Sequence, residues 1–165
     1  MLRILPAKTD KDLEAAKSLF YEYADFLKSR FGDCVDPDWA DRFRQRFEEE
    51  VNGLPGQYTA PDGCLLVAEY QGRVAGCVAL RKLSDGVCEM RRLFVRHQFR
   101  SLGIGKALAQ AVIDHARDLR YRSMRLETNR LLKAATGLYA SFGFKEISPY
   151  HETPVPEMVC MEFNL

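Results

Sequence analysis

Between Val87 and Arg117 the chain reads VCEMRRLFVRHQFRSLGIGKALAQAVIDHAR: an extended apolar stretch, a basic loop with two glycines, then an amphipathic helical pattern. The loop holds Arg100-Ser101-Leu102-Gly103-Ile104-Gly105, which fits R-x-x-G-x-G. Glycines that open a helix leave its first N–H groups bare, and those groups carry the positive end of the helix dipole. Such a terminus receives phosphate readily. Arg96, Arg100 and Lys106 add positive side chains around the same spot. A strand, phosphate-binding loop and helix in this order predict a site for the diphosphate of a nucleotide-type cofactor.

Exclusion narrows the cofactor. A Walker A loop needs glycine at position 100 and G-K-[ST] at 105 to 107; the chain has Arg100, and Lys106 is followed by Ala107. A dinucleotide fingerprint needs a small residue at position 108, where Leu108 is too large for close helix packing. The remaining pattern resembles the acyl-CoA loop of the GNAT superfamily of N-acetyltransferases, [QR]-x-x-G-x-[GA]. Two further segments carry the resemblance: Glu89-Met90-Arg91-Arg92-Leu93-Phe94-Val95 before the loop, and Leu138-Tyr139-Ala140-Ser141-Phe142-Gly143-Phe144 after it.

The rest of the chain can be parsed from periodicity. Leu2 to Pro6 reads as a strand, and Thr9 or Asp10 can cap a helix bearing Leu13, Ala16, Phe20, Tyr23 and Leu27, which Gly32 ends. Asp36-Pro37 opens a second helix with Phe43, Phe47 and Val51 on its apolar edge, stopping at Asn52-Gly53. Extended patterns follow at Cys64–Tyr70, Arg73–Leu83 and Val87–Val95, separated by Gln71-Gly72 and Ser84-Asp85-Gly86. After the helix that begins past Gly103 come a strand at Ser123–Thr128, a helix at Leu131–Phe142, and strands at Phe144–Ile147 and Met158–Phe163. This order, β-α-α-β-β-β-α-β-α-β-β, is similar to that of the GNAT fold over essentially the whole chain. The resemblance implies an α/β (α+β) fold with a mixed, mostly antiparallel central sheet flanked by helices. It also implies that the two parallel strands either side of the cofactor helix splay apart to admit the pantetheine arm.

With 165 residues, no repeat and no boundary signal, one N-acetyltransferase domain over residues 1–165 is expected. A net charge of +1 gives no general pull toward nucleic acid or membrane. No apolar stretch is long enough to span a bilayer, and MLRILPAKTDKD lacks a signal-peptide core. Five scattered cysteines without a C-x-x-C pair suit a reducing cytoplasm, and three of them, in apolar strand-like runs, read as small buried thiols. The three histidines lie far apart without ligand spacing, so no metal site is expected. In Arg42-Phe43-Arg44-Gln45-Arg46-Phe47, followed by three glutamates, a solvated helix face is a better reading than an RNA contact.

Acetyl transfer to an amine requires a free lone pair, a well-placed thioester, an oxyanion donor and a proton for the thiolate. The resemblance implies that Leu93, Phe94 and Val95, in a bulged strand, offer backbone N–H groups to the acetyl carbonyl and pantetheine. It implies that Arg100, Ser101, Leu102, Gly103, Ile104, Gly105 and Lys106 hold the cofactor, with Asn129 contacting pantetheine or nearby backbone. Tyr139 stands where the family places a tyrosine hydroxyl against the cofactor sulfur, and a phenol of pKa near ~10 can protonate a thiolate. Glu89 is the expected base, acting directly or through water, with Glu127 and Glu152 as alternatives. His115 reads as a surface residue, His97 as a neighbour of the phosphate, and His151 as part of a loop bordering the acceptor. Gly is common where Arg120 closes the cofactor helix, so a positive φ there costs about 1 kcal/mol.

These features imply an acetyl-CoA-dependent N-acetyltransferase that works by direct attack in a ternary complex, as a monomer or homodimer. A small-molecule or amino-acid-like primary amine fits a pocket enclosed by the first two helices (Phe20, Tyr23) and residues 148–157. The alternatives are a protein or peptide acceptor, a non-catalytic acyl-CoA sensor that needs no Tyr139, and a nucleotide-binding regulatory domain.

Overall fold

A computed structural model describes residues 1–165. Its elements run β1 (Leu2–Pro6), α1 (Asp10–Phe31), α2 (Pro37–Asn52), β2 (Cys64–Tyr70), β3 (Arg73–Ser84), β4 (Val87–Val95), α3 (Ile104–Asp118), β5 (Ser123–Asn129), α4 (Lys133–Phe142), β6 (Lys145–Ile147) and β7 (Met158–Asn164). The element order matches the expected one, and short 3-10 turns occupy Gly32–Cys34 and His97–Phe99.

Local chemistry explains the boundaries. Thr9, not Asp10, caps α1: it forms a capping box with Asp12. Gly32 follows α1 at an ordinary right-handed φ of −60°, so the chain tightens into a 3-10 turn there and the glycine's freedom goes unused. α4 begins at Lys133, later than the apolar pattern suggests, because Asn129 accepts the Leu131 N–H through its side chain and the Leu132 N–H through its carbonyl. β6 begins after Phe144, whose N–H closes the end of α4 on the Tyr139 carbonyl behind left-handed Gly143. Arg120 does take a positive φ, 64°, just past α3.

The seven strands form one sheet in the order β1-β2-β3-β4-β5-β7-β6. Every neighbouring pair is antiparallel except β4 and β5, which run parallel. That parallel pairing is short: Val87↔Ser123, Cys88↔Met124 and Glu89↔Arg125. Beyond Glu89 and Arg125 both strands continue without pairing to each other, so the sheet forks.

Alternation along the strands sends side chains to two cores. Leu66, Val78, Cys88, Met90 and Met124 pack on Ile104, Leu108 and Val112 of α3. Leu65, Val67, Cys77 and Ala79 pack on Leu19 and Phe20 of α1 and Phe47 and Val51 of α2. On the outer side of α2, Arg42, Arg44 and Arg46 are exposed, while Trp39, Phe43 and Phe47 stack along the helix. Four of the five cysteines are buried and only Cys34 is exposed.

One irregularity positions the site. Cys77 pairs with Phe94 and Ala79 with Arg91, so β4 carries an extra residue between those pairs. Arg92 occupies this bulge at φ 57°, and the Cys77 thiol donates to its carbonyl at 3.3 Å. An extra residue reverses the phase of a strand. Cys88 and Met90 therefore face α3, whereas Phe94 turns to the α1 side and Leu93 and Val95 to the α3 side.

Candidate active site

The cofactor loop ends at α3, whose N-cap Gly103 has φ 77° and no side-chain cap. Its carbonyl accepts the Ala107 N–H, and no backbone acceptor satisfies the N–H groups of Ile104, Gly105 and Lys106. A Cβ on Gly103 would meet no protein atom within 4 Å, and one on Gly105 would touch only Leu138 and Val95 at 3.8 Å. Space and bare donors thus coincide at the helix start, which suits a diphosphate. Ser101 adds a second left-handed residue at φ 64°, and Ser101, Leu102 and Lys106 are exposed.

The three cations expected around this loop divide their work. Arg100 donates through Nε to the Val95 carbonyl at 3.1 Å and lies 5.0 Å above the Phe26 ring, so it braces the loop against β4 and α1. Arg96 does not join the phosphate site. Its guanidinium grips Glu22 of α1 at 2.6–3.1 Å and the Val74 carbonyl at 2.9 Å. Lys106 remains beside the bare amides.

The Arg96 N–H bonds the Ala75 carbonyl at 2.8 Å, which sets the phase of the β3–β4 ladder. Phe94 consequently aims its backbone groups at β3, and Leu93 and Val95 aim theirs into the fork. Of the three residues expected to offer backbone donors, Leu93 and Val95 are placed to do so. Phe94 contributes packing instead, with its ring stacked on Tyr23 at 5.5 Å.

Tyr139 of α4 is buried to 7% exposure and packs edge-on against Phe144. Burial, and then the Tyr23 phenol, push its pKa up, so it keeps its proton at any physiological pH. No protein group pairs with its hydroxyl, yet the hydroxyl is not sealed: the one sealed side-chain oxygen without a hydrogen bond is Glu127 Oε2. The Tyr139 hydroxyl is therefore free to meet a ligand. Phe20, expected to line an acceptor pocket, is fully buried edge-on to Tyr58, because the α1–sheet core takes the whole ring.

Glu89 sits at the base of the fork and is 4% exposed. Its Oε1 receives Arg81 at 2.8–2.9 Å and Arg91 at 3.5 Å, and its Oε2 receives the Tyr150 hydroxyl at 2.6 Å. Both oxygens are engaged by the protein. Arg91 and Arg92 also reach Glu50 of α2, which accepts the Tyr58 hydroxyl at 2.7 Å. Sequence reasoning missed the part that Glu50 plays in this network. Its one signal was Glu50, a carboxylate set between Phe47 and Val51 on the buried edge of α2.

Farther out on β5, Glu127 faces the same side. Its Oε2 lies against His151 Nε2, and the His151 Nδ1 faces the Glu152 carbonyl at 3.1 Å. Burial raises the Glu127 pKa, opposed by His151 and Arg91 and reinforced by Glu89. Asn129 spends its side chain on the Pro156 carbonyl, the Leu131 N–H and the Met158 sulfur, so its partners are loop backbone and side chain. His97 is exposed in its 3-10 turn, His115 is half-buried on α3, and Glu152 is exposed; none of their side chains joins this cluster. Two hollows of about 200 and 230 Å³ lie outside the fork, one by Gly53–Tyr58 and one by Arg130 and Lys133.

Residues 18–144 match the model of the Acetyltransferase (GNAT) family. The chain is 35% identical over 166 residues to an uncharacterized N-acetyltransferase of Schizosaccharomyces pombe, covering 99% of this chain and 95% of that protein. It is 39% identical over 99 residues to N-acetylaspartate synthetase of Xenopus tropicalis, covering 59% of this chain and 36% of that protein. The solved PaiA N-acetyltransferase of Thermoplasma acidophilum, in complex with coenzyme A, has a TM-score of 0.76 over 100% of this chain and 99% of that one; at 17% identity this is a likeness of fold. Fork, bulge, uncapped helix and full-length relatives agree: the chain belongs to the GNAT family and is an acetyl-CoA-dependent N-acetyltransferase.

Proposed function

We propose that the chain moves the acetyl group of acetyl-CoA to the primary amine of a small or amino-acid-like acceptor, by direct attack in a ternary complex. The observation that carries this reading is the fork. β4 and β5 part beyond Glu89 and Arg125, with the bare start of α3 at one end and a closed side-chain cluster at the other. Acetyl-CoA supplies the activated thioester. Ile104, Gly105 and Lys106 hold its diphosphate through backbone N–H groups, the Leu93 and Val95 amides polarise the acetyl carbonyl, and the Tyr139 hydroxyl protonates the departing sulfur. A nearly buried phenol hydroxyl left without a protein partner is of no use to a passive acyl-CoA sensor.

The acceptor end supports a small substrate. Tyr150 is tied to Glu89 and Pro156 to Asn129, so the segment between β6 and β7 is pinned at both ends beside the fork. α1 contributes Tyr23 from the other side. The similarity to N-acetylaspartate synthetase adds an amino-acid acceptor to the compounds worth testing. The test is CoA release over a panel of small primary amines, amino acids and peptides. Turnover on small amines is expected. Turnover on peptides alone would overturn the acceptor class, and tight CoA binding with no turnover on any amine would overturn the catalytic reading.

A further inference from the structure

Resting on that reading, we infer that Glu127 takes the proton from the acceptor amine and that His151 passes it to water, while Glu89 is a positioning residue that holds the loop. The Glu152 carbonyl can only accept, so the His151 Nδ1 that faces it carries a hydrogen. On the other side, His151 Nε2 meets Glu127 Oε2, a sealed oxygen with no other partner. A bare imidazole nitrogen facing a bare carboxylate would repel it. The pair therefore holds one proton between them, either as glutamate with imidazolium or as glutamic acid with imidazole.

Position turns this shared proton into a route. Glu127 lies on β5 just beyond the last β4–β5 pair, and its side chain is 22% exposed against 47% for His151. The pair thus runs from a half-dry cleft to solvent. The groups facing Glu127 are Glu89 and Arg91 from β4, Tyr23 from α1, Tyr150 and His151 from the β6–β7 loop, and Cys160 from β7. Tyr23 of α1 lies near both Glu127 and Tyr139, so base and acid border the same phenol. Glu89, by contrast, has both oxygens engaged by Arg81, Arg91 and Tyr150, and through Tyr150 it seats the residue next to His151.

The balance closes. The acceptor ammonium gives one proton to Glu127, which leaves by His151 to solvent. The amine lone pair forms the C–N bond, the C–S bond breaks, and the electron pair stays on sulfur. The thiolate takes the Tyr139 proton, and the second amine proton, shed as the amide forms, restores the phenol. One amide, one thiol and one released proton result.

The test compares pH–rate profiles of the wild type, Glu127→Gln, His151→Gln and Glu89→Gln. Burial raises the pKa of Glu127, so its carboxylate forms only as pH climbs past that elevated value, and the rate rises with it. Glu127→Gln should lower kcat about 10²-fold or more at neutral pH and move the rising limb to the alkaline side, with CoA affinity kept. His151→Gln should shift the same limb. Glu89→Gln should raise the acceptor KM and move the limb toward acid, the opposite direction to Glu127→Gln, because the negative charge that helps raise the Glu127 pKa is lost. A folded, CoA-binding Glu127→Gln variant with the wild-type limb overturns the inference and leaves the proposed function standing. A wild type inactive on every amine overturns both. Independently of activity, the Glu127 side-chain carboxyl carbon followed by NMR in the wild type should titrate above the range of an exposed glutamate; titration within that range overturns the inference even if a variant fails to fold.

Discussion

Glu50→Ala removes the anion that holds the β4 bulge in shape. Its carboxylate accepts Arg92 through Nε and Nη2 at 2.9 Å, Arg91 at 3.2 Å and the Tyr58 hydroxyl at 2.7 Å. The Glu50 and Arg92 side chains are each 12% exposed, so the variant leaves a nearly buried cation without its anion. Breaking a buried pair on one side costs about 3–5 kcal/mol. The low end, about 3 kcal/mol, applies here, because Arg92 keeps the Phe20 and Phe47 ring faces at 5.3–6.0 Å and Arg91 keeps Glu89. In a chain of this size that corresponds to a fall in Tm of about 6–12 °C. Urea denaturation with a thermal scan measures it. Replacing both partners, as Glu50→Leu with Arg92→Met, should recover most of the loss, since an apolar pair avoids the desolvation penalty. The recovered protein should still bind CoA weakly, because Arg92 shapes the turn that aims the Leu93 and Val95 amides. A Glu50→Ala protein unfolding within about 1 kcal/mol of the wild type would refute the idea that this ion pair fixes the bulge.

Other perturbations probe the same cleft. Gly76→Ala would set a Cβ 2.5 Å from the Phe94 carbonyl and 3.2 Å from Leu108, so it should cost about 2 kcal/mol or more and weaken CoA binding; a wild-type denaturation midpoint would contradict that close approach. Gly103→Val sets its Cβ where no protein atom lies within 4 Å but forces a β-branched residue to φ 77°, at a cost of about 1–2 kcal/mol, and fills space beside the bare amides. Calorimetric titration should show CoA affinity lost, and unchanged affinity would remove the diphosphate from that helix start. Tyr139→Phe should lower turnover far more than acetyl-CoA affinity, and equal kinetics would take the phenol out of the chemistry.

The chemistry of the cofactor end is local, and residues 87–117 carry it by themselves. Whether an amide is bare depends on which residue opens a helix, so Gly103 and Gly105 announced the site in their own sequence neighbourhood. Thr9, Asp36 and Gly143 likewise mark helix ends through bonds within a few residues. The bulge was expected only through family likeness, because nothing in Arg91-Arg92-Leu93 taken alone distinguishes an extra residue from a regular strand.

The acceptor end was hidden for the opposite reason. Glu89 meets Tyr150 across 61 positions of sequence, and Arg92 meets Glu50 across 42. Periodicity assigns a residue to a face but not to a partner on another element. A glutamate whose oxygens are both taken and one whose oxygen borders a histidine look alike in sequence. The chain's local patterns therefore determined the elements, their order and the diphosphate cradle, where hydrogen bonds close within a turn or a strand. Tertiary packing alone decided which carboxylate has both oxygens engaged and which meets a histidine, because that depends on charges brought together only when the sheet forks and the β6–β7 loop is drawn against it.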